Sequence, residues 1–223
     1  MSFTLRTITV FTLFVFLILR VSAVQGGNVR VKGVDVPETF RLHSYPRPAP
    51  AAFFADEKGE RRSLQDFRGK VLLVNIWSTA CAQCVIELPM LDRLQKDMGG
   101  LKFEVLTLSS GTETPSAVRA FWTRRGIKNL KAYSDSNAAF SMAADIRGLP
   151  TTLLIDGEGQ ELGRLRGMAE WDGPLIKAQI REIIRQEKQK TAKTVPAAGK
   201  ESRADSSEPP PPPENDISNW FRK

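Results

Sequence analysis

Cysteine and histidine are scarce in this chain of 223 residues, with two of the former and one of the latter. A small disulfide-stapled scaffold needs more cysteines at wider spacings, and a closed zinc site needs four ligands. The one histidine, His43, lies in a proline-rich stretch far from both cysteines and reads as a solvated loop residue. Runs of like charge are missing as well. The formal charge is +7, from 32 Lys and Arg against 25 Asp and Glu, yet no five basic residues adjoin one another. Aromatic and basic positions do not interleave into a stacking surface, so no nucleic-acid partner is expected and the charge reads as a solvated basic face.

An apolar run does occur at the N-terminus, from Ile8 to Leu19, between Arg6 and Arg20. Its length of about twelve residues is that of a signal-peptide core, whereas a bilayer takes roughly 20. Val21-Ser22-Ala23 supplies small residues for cleavage. Residues 1–23 therefore read as a signal peptide or, with Arg20 reaching to the interface, as a membrane anchor. Either reading puts the rest of the chain outside the cytoplasm, in the periplasm or on the extracytoplasmic face of the membrane.

Residues 24–52, with Pro37, Pro46, Pro48 and Pro50, read as an irregular lead-in. Phe53-Phe54-Ala55 and Glu60-Arg61-Arg62 flank a turn and read as a short hairpin. Val71 to Trp77 is almost continuously apolar and β-branched, which suits a central strand covered on both faces. A helix is expected from about Ala82 to Met98, with Val85, Leu88, Leu91 and Leu94 on its buried side, Pro89 as a kink, and Gly99-Gly100 as its stop.

Further along, Leu101 to Ser109 reads as a strand, and Thr114-Pro115 opens a helix ending at Gly126. Leu130 to Tyr133 reads as a short strand and Asn137 to Ala144 as a short helix. Thr151 to Ile155 and Gln160 to Arg166 form a hairpin around Asp156–Gly159. Asp172 is expected to cap a last helix burying Leu175, Ile176, Ile180, Ile183 and Ile184. This order implies an α/β fold, a mixed central sheet with helices on both faces, over residues 53–187. Residues 188–223, including Pro209 to Pro213, read as a disordered proline-rich tail.

The two cysteines, Cys81 and Cys84, fall directly after the central strand, at the start of a helix. Unpaired N–H groups and the positive end of the helix dipole favour a thiolate there, moving a thiol from about 8.5 into the range of roughly 3.5–7.5. Cys81 is then the nucleophile. Cys84, three residues on and on the same face, can resolve the mixed disulfide. Two other uses of the pair remain open at this point: capture of a soft ion such as Cu(I) in a metal-handling module, or a permanently closed disulfide in a non-catalytic scaffold.

Trp77-Ser78-Thr79-Ala80-Cys81-Ala82-Gln83-Cys84 with Glu87-Leu88-Pro89, and Gly148-Leu149-Pro150-Thr151-Thr152, resemble the thioredoxin-like proteins of the TlpA/ResA type. The likeness covers Phe53 to Ile184 and omits both ends. It implies a thioredoxin-like fold and an exported thiol–disulfide oxidoreductase without a cofactor, reducing protein disulfides, some of them in cytochrome c maturation. A membrane-linked electron donor and a tether to the inner membrane follow from the same likeness.

By that resemblance Pro150 is a cis-proline facing the redox pair. Glu87 lies beneath the pair as proton acceptor of the resolving thiol, and Trp77 is structural support. Members commonly carry a Trp just before the first cysteine, where this chain has Ala80, so the apolar surface beside Cys81 is expected to be smaller. A peroxide-reducing relative would show Pro-x-x-x-Thr-x-x-Cys, and no proline stands at that spacing before either cysteine.

Overall fold

The computed structural model describes residues 28–31, 34–37 and 40–194. The N-terminal segment read as a signal or anchor, and the tail from residue 195 onward, lie outside the described residues. Ten strands form among the described residues. The first five are β1 (Asn28–Val31), β2 (Val34–Pro37), β3 (Leu42–Pro48), β4 (Phe53–Ala55) and β5 (Arg61–Ser63). They are followed by β6 (Val71–Trp77), β7 (Phe103–Ser110), β8 (Tyr133–Asp135), β9 (Thr151–Ile155) and β10 (Gln160–Arg166). The helices are α1 (Ala82–Met98), α2 (Pro115–Arg125), α3 (Ala139–Ala143) and α4 (Pro174–Thr194), with a 3-10 turn at Leu64–Phe67.

Among the described residues, β1 pairs with β2, and the remaining eight strands form one sheet in the order β3-β10-β9-β6-β7-β8-β4-β5. β6, β7 and β8 run parallel and every other pairing is antiparallel. All seven residues of β6 are buried, as its apolar run requires of a strand covered on both sides. Alternation sorts them by face. Val71, Leu73 and Trp77 join a core with Leu88, Leu91 and Leu94 of α1, Phe121 and Trp122 of α2, and Ile176, Ile180 and Ile183 of α4. Leu72, Val74 and Ile76 join the opposite core with Leu64 and with Phe140 of α3. The fold is thus α/β, a mixed sheet with helices on both faces.

Five expectations need correction. The lead-in is not irregular: β1, β2 and β3 occupy much of it, and β3 pairs with β10 at the sheet edge. Prolines are tolerated on an edge strand because the missing N–H need not serve a second neighbour, so Pro46 and Pro48 did not break it. Phe40, just before β3, is buried against Trp171, and its backbone N–H and C=O both bond the Gln179 side chain. The last helix also outruns the boundary set at residue 187. It continues to Thr194 on strong helix formers, with ion pairs one turn apart at Arg185–Glu182 and Lys190–Glu187.

Asp172 does not cap that helix. Its carboxylate takes a bond from Arg93 Nε at 2.6 Å, and the helix starts with the Gly173 carbonyl accepting the Lys177 N–H. Leu175 faces outward, 38% exposed. Finally, the short strand is Tyr133–Asp135 rather than Leu130–Tyr133, because Ala132 gives its N–H to the Glu57 side chain instead of a ladder.

Among the described residues, no helix is long and apolar enough to cross a membrane.

Candidate active site

β6 delivers the chain to the C-terminal edge of the sheet, and the turn Ser78–Ala80 carries it into α1. Cys81 is the N-cap of that helix, in extended backbone conformation. Its carbonyl accepts the Val85 N–H, and its Sγ accepts the Cys84 N–H at 3.2 Å. Cys81 and Cys84 are joined as a disulfide with Cα atoms 5.2 Å apart. Cys84 is fully buried in the core while Cys81 is half-buried. The outer sulfur is therefore the one a partner can reach. The amide at the first turn that bonds this sulfur also favours its negative charge once the bond is reduced.

Glu87 lies on α1 one turn beyond Cys84, with none of its surface exposed. Asn75 of β6 donates from Nδ2 to Glu87 Oε1 at 2.7 Å, and Trp171 donates from Nε1 to Oε2 at 2.7 Å. Burial pushes the carboxyl up to about 8, against the donated bonds of Trp171, Asn75 and the Ala169 amide, which favour the anion. Asn75 also donates to Thr152 Oγ1 at 2.9 Å, across from it in the β6–β9 ladder.

The Leu149–Pro150 peptide is cis. Pro150 precedes Thr151, which pairs with Ile76, so it sits at the end of β6 from which the redox turn departs. Trp77 is buried and stacks on Trp122 with ring centroids 4.7 Å apart, a core position under the turn. His43, by contrast, sits at the far sheet edge and pairs with Glu161 at 2.9 Å.

The turn before Cys81 is fastened from outside the strand. Glu113, in the β7–α2 loop, accepts from Thr79 Oγ1 at 2.8 Å, from the Thr79 N–H at 3.3 Å, and from Ser109 Oγ at 3.2 Å. These bonds outweigh its partial burial and hold its carboxyl below the usual range. Gly111 in the same loop has φ +131°, and a Cβ there would lie 2.9 Å from Glu113 Oε2, so the clamp needs glycine.

Residues 46–170 match the Redoxin family, more than half of the chain. The chain belongs to the redoxin family. Thiol-disulfide oxidoreductase ResA of Bacillus subtilis is 32% identical over 112 residues, which are 50% of this chain and 62% of that protein. The chain thus matches less than two thirds of that relative's length. Among solved structures, the pneumococcal exposed lipoprotein thioredoxin Etrx1 of Streptococcus pneumoniae superposes with a TM-score of 0.50 at 25% identity, over 58% of this chain and 97% of that one. A thiol:disulfide interchange protein from a Bacteroides species gives 0.52 at 24% identity, over 63% and 90%, and supports the fold.

The redoxin fold brings together the pair, Glu87 and the Pro150 loop. Asn75, Thr152, Trp171 and Glu113 were not singled out from sequence. Asn75 left one signal, as the only polar residue in a run of seven. Trp171 left none, since 84 residues separate it from Glu87.

Proposed function

We propose that this redoxin is an exported thiol–disulfide oxidoreductase that reduces disulfides in other proteins. The observation that carries the reading is the half-buried Cys81 sulfur at a helix N-terminus, bonded to a Cys84 sulfur buried behind it. In the reduced enzyme the Cys81 thiolate attacks one sulfur of a partner disulfide. A Cys81–partner bond forms, the partner's own S–S bond breaks, and its second sulfur leaves as a thiolate. Cys84 then loses its proton to Glu87 and attacks Cys81 Sγ. The mixed disulfide breaks, the partner's first sulfur leaves, and the Cys81–Cys84 bond closes. Two electrons have passed to the partner, whose two thiolates take up one proton from Glu87 and one from solvent, where the Cys81 proton had gone.

A dithiol donor must reopen the enzyme's disulfide, and for a chain outside the cytoplasm a membrane-linked donor is the fitting class. The apolar run Ile8–Leu19 supports export. The TlpA/ResA resemblance supports substrates in cytochrome c maturation, and Pro150 beside the redox turn supports a groove for an extended partner segment there.

Cys84→Ala tests the assignment in the native host. Without the resolving sulfur, mixed disulfides through Cys81 accumulate with specific exported proteins, and Cys81→Ser accumulates none. A variant that traps nothing, together with a wild-type protein that leaves insulin disulfides intact, refutes the reading.

A further inference from the structure

Asn75 is the one polar member of a strand whose other six residues are apolar. Its face of β6 packs against α1, between Leu73 and Trp77, where the neighbouring positions are all core. A leucine would fit the pattern, and the ladder bonds of the strand are made by the backbone whatever the side chain. The amide also sits at a cost to itself. Both Nδ2 hydrogens are committed, one to Glu87 and one to Thr152, and its Oδ1 is buried with no hydrogen-bond partner among the described residues. An unpaired buried acceptor is what a fold left to optimise packing would avoid. The bond to Glu87 is what the arrangement gains.

The groups facing the Glu87 carboxyl can be named element by element. β6 contributes the Asn75 amide, and the β10–α4 loop contributes the Trp171 indole and the Ala169 N–H. All are uncharged donors, and each favours the anion over the acid. On its own helix, Cys84 is the titratable neighbour once the disulfide is reduced. Of these donors, only Asn75 is tied in turn to β9, through Thr152 two residues past Pro150.

We propose that Asn75 is a positioning residue for the resolving step: its amide stabilises the anionic Glu87 carboxylate and so sets the pH at which Glu87 takes the Cys84 proton. The proposal rests on Glu87 acting as that proton acceptor. Removing one hydrogen bond to a charged group shifts the group's titration by about one to two pH units. In Asn75→Leu the shift is upward, because the lost bond favoured the charged form.

The test follows the Glu87 carboxyl by carbon NMR in the oxidised full chain, wild type against Asn75→Leu, alongside the pH dependence of insulin reduction. The expected result is an upward move of the carboxyl midpoint by about one to two pH units, with the rising limb of the rate profile moving equally. Thr152→Val, which keeps the shape and frees the amide, moves both in the same direction by less, and stands in should Asn75→Leu fold poorly. An unmoved midpoint overturns the proposal, and so does a moved midpoint with an unmoved rate limb. A wild-type protein inert toward insulin is a separate result: joined to a Cys84→Ala variant that traps nothing it refutes the oxidoreductase reading, while the titration still reads the Asn75–Glu87 bond.

Discussion

Replacing Glu87 with glutamine removes a proton-binding group from the core without changing its shape, and the structure fixes how stability should respond. In the unfolded chain this carboxyl titrates near 4.5, and in the folded protein burial moves it to about 8. Between those values the folded state keeps a proton that the unfolded state has lost. Stability therefore falls as pH rises through that window, at about 1.4 kcal/mol per pH unit, and levels off above it. The whole excursion, about 3.5 units, is worth on the order of 5 kcal/mol.

Glutamine carries no such linkage, and its one mismatched contact with Asn75 or Trp171 is a constant offset at every pH. Urea unfolding of the oxidised wild type and Glu87→Gln from pH 5 to 9 gives the difference directly. The glutamine variant should gain on the wild type steadily up to about pH 8, then run parallel to it. Other carboxylates and lysines contribute equally to both proteins and cancel. Two curves separated by a constant amount across the whole range would mean that folded Glu87 titrates as an ordinary carboxylate, and the proton-acceptor role would fall with it.

Two further outcomes follow from contacts on either side of the pair. Phe40→Ala empties a buried site against Trp171 and should cost roughly 3–5 kcal/mol in urea unfolding, which an irregular lead-in would not register. Glu113→Ala releases the turn before Cys81, slowing insulin reduction and lowering stability by about 1 kcal/mol at neutral pH. Because the folded Glu113 carboxyl is held low, that stability loss should vanish on acidification below the ordinary carboxylate range; a loss that persists there would show that charge has no part in the clamp.

The parts of the fold readable in the sequence are those whose signal is local. A run of seven with six apolar residues, two cysteines at helical spacing and a double-glycine stop specify β6, the N-cap sulfur and α1 within 30 residues. Pro46 and Pro48 misled because a proline's cost depends on whether its missing N–H was needed, and that is decided by sheet position, not by neighbours in the chain. The polar end of α4 was invisible for the opposite reason. No apolar stripe marks it, and it continues a helix already anchored by Ile176, Ile180 and Ile183.

The candidate site divides along the same line. Cys81 and Cys84 announce themselves by spacing, and Glu87, on the same helix, only by the family resemblance. The groups that decide what Glu87 does arrive from β6, β9 and the loop before α4, through bonds spanning 12, 77 and 84 residues of sequence. A motif can therefore point to the proposed proton acceptor but not to its working pH. That value comes from a balance between desolvation, which any buried carboxyl would suffer, and three donated bonds that only the folded arrangement supplies. Two redoxins with the same cysteine spacing and the same glutamate can thus differ in working pH by as much as one donated bond is worth. In this chain the side chain placed to make that difference from within the sheet is Asn75.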